Sequence, residues 1–260
     1  PTPPGDGAID PSTGGILDAP VAAGGPFPVV MFSHGSCGYA NQSIFLTTLL
    51  ASRGFIVAAP PHPGNTLADF PNCGSAAAQV ASYVERPRDV IYVLDQLLAA
   101  NQDTGSPFFG AVDPQRVGMS GHSFGGLTTY LTVQLDARFI AAMPLAPATI
   151  TQPTLTIPSL FLVGSIDSRV DNGPTRAAYD RSNAPKHYAA LRHAGHYAFS
   201  DLCFPSADCN PPTTLTQTEA NTNVLRYAVP FLEVHVAGDT SFQPFLDAPT
   251  PPGFDYESEP

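Results

Sequence analysis

Residues 116–126 read RVGMSGHSFGG, and the interpretation of this stretch decides the fold. RVGMS at 116–120 is a short β-rich run, and Gly121-His122-Ser123-Phe124-Gly125 then spells G-x-S-x-G ahead of an apolar-rich stretch from 124 to 135. A strand that turns sharply into a helix, with glycines two residues to either side of a serine, lifts a hydroxyl clear of the chain where it can attack a carbonyl. Such a turn has to be braced by neighbouring strands. The rest of the chain is therefore expected to alternate strands with helices.

Working outward, PVVMFSH at 28–34, FIVAAP at 55–60, FIAAMPL at 139–145, SLFLVGS at 159–165 and HYAALRH at 187–193 are short apolar runs suited to a parallel sheet covered on both faces. Helices are predicted at about 42–52, closed by Gly54, and at about 87–101, where Val90, Ile91, Leu94, Leu97 and Leu98 share a face and Pro87 fits the first turn. A last helix at about 216–237 carries Val224, Leu225, Ala228, Phe231 and Leu232 on one side, with a kink at Pro230. The expectation is an α/β fold in a single domain. Residues 27–237 form its core, 1–26 a Pro- and Gly-rich N-terminal arm, and 238–260 a C-terminal tail.

Composition narrows the function. Acidic residues outnumber basic ones 22 to 11, for a net charge of −11, so the clustered cations that nucleic acid or an anionic membrane surface requires are missing. No apolar run reaches the ~18 residues of a membrane-spanning helix. PTPPGDGAID at 1–10 has neither the basic end nor the apolar stretch of a signal peptide, so an exported protein would carry this chain already trimmed. Four cysteines without a C-x-x-C pair suit disulfides and an oxidising compartment, which predicts a secreted or periplasmic protein. Cys203–Cys209 and Cys37–Cys73 are the expected pairs, contributing about 2.4 and 3.8 kcal/mol in the loop-entropy account.

A serine hydroxyl needs a base, and the base needs a carboxylate to hold it. Asp167 lies just past SLFLVGS and His196 just past HYAALRH, both at C-terminal strand ends, where open parallel sheets place their sites. Asp171 and His193 compete for these roles. Asp171 falls where the next helix should begin, and His193 still belongs to its strand, so Asp167 and His196 are preferred. The loop HGSCG at 34–38 offers the backbone N–H of Ser36 to a developing oxyanion, beside that of Phe124. His122 is expected to point away from the nucleophile as packing. Tyr39, His62 and Tyr197 are candidate walls of the substrate cleft. His193-x-x-His196 is too weak a metal pattern to carry weight, and neither metal nor cofactor is expected.

FSHG at 32–35, ASRGFIVAAPPHPGNT at 51–66, GHSFGG at 121–126, LVGSID at 162–167 and GHYAFSD at 195–201 together resemble the α/β-hydrolase superfamily, closest to its platelet-activating-factor acetylhydrolase-like and predicted dienelactone hydrolase esterases. The resemblance covers about residues 27–237 and implies a mostly parallel central sheet with helices on both faces. It also implies Ser123, Asp167 and His196 as the triad, with Ser36 and Phe124 as oxyanion donors. Ser123 stands where true dienelactone hydrolases use cysteine, and no tryptophan is present where related polyester hydrolases and cutinases usually have one. No long apolar insertion between Ser123 and Asp167 supplies a lid domain. The expected activity is serine carboxylic ester hydrolysis through an acyl-enzyme on short- to medium-chain esters, by a monomer. A polyester hydrolase on the same triad is the alternative, and a non-catalytic binding protein of this fold is the rival from another class.

Overall fold

The computed structural model describes residues 9–11, 13–148, 153–201 and 214–260. Seven strands form one sheet: β1 (Phe27–Ser33), β2 (Ile56–Ala58), β3 (Val112–His122), β4 (Phe139–Leu145), β5 (Ser159–Gly164), β6 (Lys186–Leu191) and β7 (Phe254–Glu259), in the order β2-β1-β3-β4-β5-β6-β7. The first six are parallel, and β7 runs antiparallel to β6. Because β1, β4 and β5 are buried on both faces, their sequences read as continuous apolar runs rather than alternating ones, whereas β3 is continuously buried only from Val117 onward.

Helices cover both faces. α1 (Ile44–Ser52) and α5 (Gln217–Leu232) lie on one side, where Leu46, Leu50, Val224, Tyr227 and Phe231 pack on Val30, Phe32 and Leu162. On the other side α2 (Ala76–Ala100) sets Val90 and Leu94 against Val29, Met31 and Val117. α3 (Phe124–Leu135) and α4 (Gly173–Arg181) add Tyr130, Ala178 and Tyr179 around Phe161. α5 opens on a capping box in which Thr216 and Glu219 satisfy each other's backbone N–H groups. Beyond Pro230 its hydrogen bonding changes, and Glu233–Ala237 continues as a π-type turn.

Two expectations are corrected. The helix expected from residue 87 starts eleven residues earlier, at Ala76, where Ser75 caps it by accepting the Ala78 N–H. Pro87 is therefore an interior residue. A proline there removes one helical hydrogen bond, at a cost of about 3 kcal/mol in an isolated helix, and the docking of Val90 and Leu94 on the sheet outweighs it.

The stretch read as a C-terminal tail contributes the short helix α6 (Gln243–Asp247) and the edge strand β7. FDYESE alternates: Phe254 is buried and the half-buried Tyr256 packs on the same core, while Asp255, Glu257 and Glu259 pair with Arg192, Arg176 and Lys186. A row of charges along an edge strand also discourages pairing with another sheet.

The Cys37–Cys73 disulfide is present, with its Cα atoms 5.5 Å apart. It joins the loop after β1 to the segment entering α2. The expected Cys203–Cys209 pair lies outside the described residues.

Candidate active site

Ser123 occupies the turn between β3 and α3 with φ 58° and ψ −117°, a left-handed backbone that a residue with a side chain adopts only under constraint. Its N–H donates to the Leu145 carbonyl at 2.9 Å, and its carbonyl accepts the Ala148 N–H at 2.9 Å, which ties the turn to the end of β4. Glycine is required beside it. A Cβ on Gly121 would lie 2.5 Å from the Gly125 carbonyl oxygen, and one on Gly125 would collide with the Ser33 carbonyl oxygen.

Three side chains meet at this turn. Ser123 Oγ lies 2.9 Å from His196 Nε2, and His196 Nδ1 lies 2.8 Å from Asp167 Oδ2. The Asp167 side chain is fully buried, and its second oxygen accepts the backbone N–H groups of Arg169 at 2.8 Å and Val170 at 3.0 Å. Those bonds fix the carboxylate, which in turn fixes the imidazole with Nε2 facing the serine. The competing residues stand apart: Asp171 accepts the Gly173 N–H at the start of α4, and His193 is an exposed residue of the turn after β6.

The loop after β1 runs beside the serine, so that a Cβ on Gly35 would touch Ser123 Cβ at 3.4 Å. The backbone N–H groups of Ser36 and Phe124 meet no acceptor among the described residues. The disulfide at Cys37 holds this loop, and Gln79 of α2 adds a hydrogen bond to Ser36 Oγ at 2.7 Å.

A relay that sequence reading missed joins the loop to the histidine. Gln42 Oε1 accepts the Gly35 N–H at 2.8 Å, Gln42 Nε2 donates to His122 Nδ1 at 2.6 Å, and His122 Nε2 donates to the His196 carbonyl at 2.9 Å. This relay needs His122 neutral. Burial, reinforced by the neighbouring His196, pushes its pKa well below the ordinary histidine value. His122, expected only to pack, connects two loops of the site and is among the residues lining the cleft.

His62 corrects an expectation: it does not line the cleft. Its ring is fully buried beneath the β1 loop, with Nε2 accepting from Ser33 Oγ at 2.9 Å and Nδ1 donating to Asp89 at 2.8 Å. These two partners draw the ring under the sheet end. Behind it, the buried Arg86 donates to the His34 carbonyl and lies over the Phe124 ring with its guanidinium carbon 5.1 Å from the centroid. Burial lowers the Arg86 pKa to about 9.

Burial likewise pushes His62 down to about 4, against the opposing hydrogen bond from Asp89, and His34 down to about 3 with the help of Arg86. His187, at the back of β6, is lowered to about 4, again chiefly by burial. In the unfolded chain these rings take up protons near pH 6.5. Between there and about pH 4 the unfolded state binds more protons, so stability falls as pH falls through that window. Melting temperature is expected to be level above pH 7 and to drop steadily below about 6.5. A melting temperature unchanged from pH 7 to pH 5 would contradict this account of the buried histidines.

The cleft above Ser123 has a volume of about 620 Å³. Gly35, Ser36 and Tyr39 line it on one side, Val170, His196 and Tyr197 on the other, and Leu67, Phe70 and Arg169 stand at its mouth. Tyr39 and Tyr197 are where the sequence placed them. Leu67, Phe70 and Arg169 carried no sequence signal beyond the closeness of Arg169 to Asp167.

The chain is similar in sequence to several known proteins. The chain is 27% identical over 236 residues to bis(hydroxyethyl) terephthalate hydrolase of Streptomyces coelicolor, a match covering 90% of this chain and 65% of that protein. It is 25% identical over 225 residues to cutinase est1 of Thermobifida alba, covering 85% and 64%. A third match, platelet-activating factor acetylhydrolase of Cavia porcellus, is 24% identical over 230 residues, covering 72% and 51%. The chain thus spans about half to two thirds of the length of the curated relatives it matches. Among solved structures, a ferulic acid esterase from Streptomyces cinnamoneus superposes with a TM-score of 0.69 at 25% identity, over 90% of this chain and 74% of that one. The family model described as PETase: PET hydrolase-like matches residues 9–254, and the chain belongs to that family of α/β-hydrolase-fold proteins.

Proposed function

We propose that this chain is a serine carboxylic ester hydrolase acting on short- to medium-chain esters. The observation that carries the reading is the continuous hydrogen-bonded order Ser123, His196, Asp167 at the floor of an open cleft. Ser123 Oγ attacks the ester carbonyl while His196 Nε2 takes its proton, and Asp167 stabilises the imidazolium that forms. The N–H groups of Ser36 and Phe124 receive the oxyanion of the tetrahedral intermediate. As the intermediate collapses, His196 passes the proton to the departing alcohol and leaves an acyl group on Ser123. Water, activated by the same histidine, then releases the acid.

A monomer is the proposed working unit. The Cys37–Cys73 disulfide supports an oxidising location, secreted or periplasmic.

Polyester hydrolysis on the same triad is the second reading, favoured by the family and by Phe70, 70% exposed at the mouth, where a polymer chain would lie. A profile of kcat/KM against acyl length, with a polyester film included, separates the two. The maximum is expected at about two to eight carbons, because an open cleft gains little from longer chains. A maximum at about sixteen carbons, or faster release of monomer from film than hydrolysis of a soluble butyrate ester, moves the assignment to lipase or depolymerase.

A further inference from the structure

We propose that Arg169 forms a carboxylate-binding subsite at the mouth of the cleft, selecting esters whose acyl part carries a second, ionised carboxyl group. These are the half-esters of dicarboxylic acids. The inference rests on the serine esterase reading above and names a substrate class for it.

Charge is the first observation. Seven of the chain's eleven Lys and Arg side chains, among them Arg138, Arg176 and Arg192, pair with carboxylates. Arg169 has no carboxylate within ion-pairing distance among the described residues, although acids outnumber bases two to one. Among the described residues lining the cleft it is also the one permanently charged side chain; the rest are apolar, aromatic, hydroxyl, amide or imidazole.

Position is the second. The Arg169 N–H donates to Asp167 Oδ1 at 2.8 Å, so its backbone belongs to the turn that fixes the triad carboxylate. Its guanidinium carbon lies 5.9 Å from the centre of the Tyr197 ring, and that ring stands edge-on to the His196 ring with centroids 5.5 Å apart. Tyr197 thereby touches both the cation and the base. An acyl group on Ser123 that runs along Tyr197 reaches the guanidinium at its far end.

Tyr39, Leu67, Phe70 and Tyr197 line the same cleft, apolar or aromatic faces that suit a flat body. The fitting ligand is therefore a half-ester of an aromatic dicarboxylic acid, with its ester carbonyl at Ser123 and its carboxylate on the Arg169 fork.

The net charge of −11 opposes an anion at long range. Salt screens that field beyond about 8 Å at physiological ionic strength, so the nearest charge decides the outcome at the mouth. Turnover stays a simple hydrolysis. The ester C–O bond breaks as Ser123 Oγ bonds the carbonyl carbon, the alcohol leaves with a proton, and water replaces Ser123 to release the dicarboxylate. Such half-esters are what a first hydrolysis of a diester leaves behind, which places this chain after a diester-cleaving step.

The test compares two esters of one shape, methyl 4-carboxybenzoate, ionised at about pH 8, and its neutral amide counterpart methyl 4-carbamoylbenzoate. The readout is the ratio of their kcat/KM values, which does not depend on how much of a variant is folded. Wild type is expected to favour the anion by about tenfold, expressed in KM. In Arg169→Gln the ratio is expected to fall to about one, and in Arg169→Lys to lie between, because a point charge replaces a planar fork. An equal ratio in wild type and Arg169→Gln, or no preference in wild type, overturns the subsite. So does cleavage of p-nitrophenyl butyrate with neither aromatic ester turned over. If butyrate too is left intact by the wild-type chain, the esterase reading itself fails.

Discussion

Ser123→Ala is expected to lower kcat for p-nitrophenyl butyrate by a factor on the order of 10⁶, the scale seen when the nucleophile of such a unit is removed. The loss is this large because the remaining groups act through the serine oxygen: His196 has no proton to take, and the Ser36 and Phe124 N–H groups have no enzyme-bound oxyanion to receive. What survives is binding plus oxyanion stabilisation of direct water attack, a residual about 10³- to 10⁴-fold above water. Folding is not expected to suffer, since the hydroxyl's hydrogen-bond partner among the described residues is His196. A variant that keeps its melting temperature and loses turnover supports the catalytic reading. One that keeps turnover makes the chain's activity independent of the elbow and overturns Ser123 as the nucleophile.

Asp167→Asn is expected to lower kcat by about 10⁴-fold, while Asp171→Asn leaves it within about twofold. An amide at 167 keeps the shape but presents an N–H or a neutral carbonyl to His196 Nδ1, so the imidazole loses both its tautomer and the charge that steadies its protonated form. The backbone donors Arg169 and Val170 point the same way, because both are placed for one carboxylate oxygen and both would face an NH₂ group in a flipped amide. Asp171 has a different task, accepting the Gly173 N–H at the entrance to α4. Loss of turnover in Asp171→Asn with retention in Asp167→Asn reverses the acid assignment.

The features legible in the sequence were those that local chemistry dictates. RVGMSGHSFGG shows its strand, turn and helix because the buried stretch after Arg116 carries small and apolar residues and the backbone crowding at 121 and 125 demands glycine. Asp167 and His196 were legible because each follows a buried strand at the end where such sheets gather their sites. β7 was obscured by the prolines before it, although Phe254 and Tyr256 alternate with three acids in a period of two. The start of α2 was obscured by Pro87, whose usual place in a first turn outweighed the cap at Ser75 and the alanines after it.

The residues around the triad depend on distant pairings that no local pattern records. His62 is drawn under the sheet end by Ser33 and Asp89, each more than twenty residues away in the chain. Gln42 and His122 meet across 80 positions to join the loop after β1 to the loop carrying His196. Arg169 follows the acid by two residues, and only the fold places it against Tyr197 at the mouth of the cleft.

The central claim is that an acyl group passes through Ser123, and the direct measurement is rapid-quench mass spectrometry of the wild-type chain mixed with excess p-nitrophenyl acetate. The account predicts a transient gain of one acetyl group per chain, carried by the peptide containing Ser123 and absent from Ser123→Ala. Steady turnover without any acyl adduct, or an adduct on another residue that turns over at the catalytic rate, would contradict it.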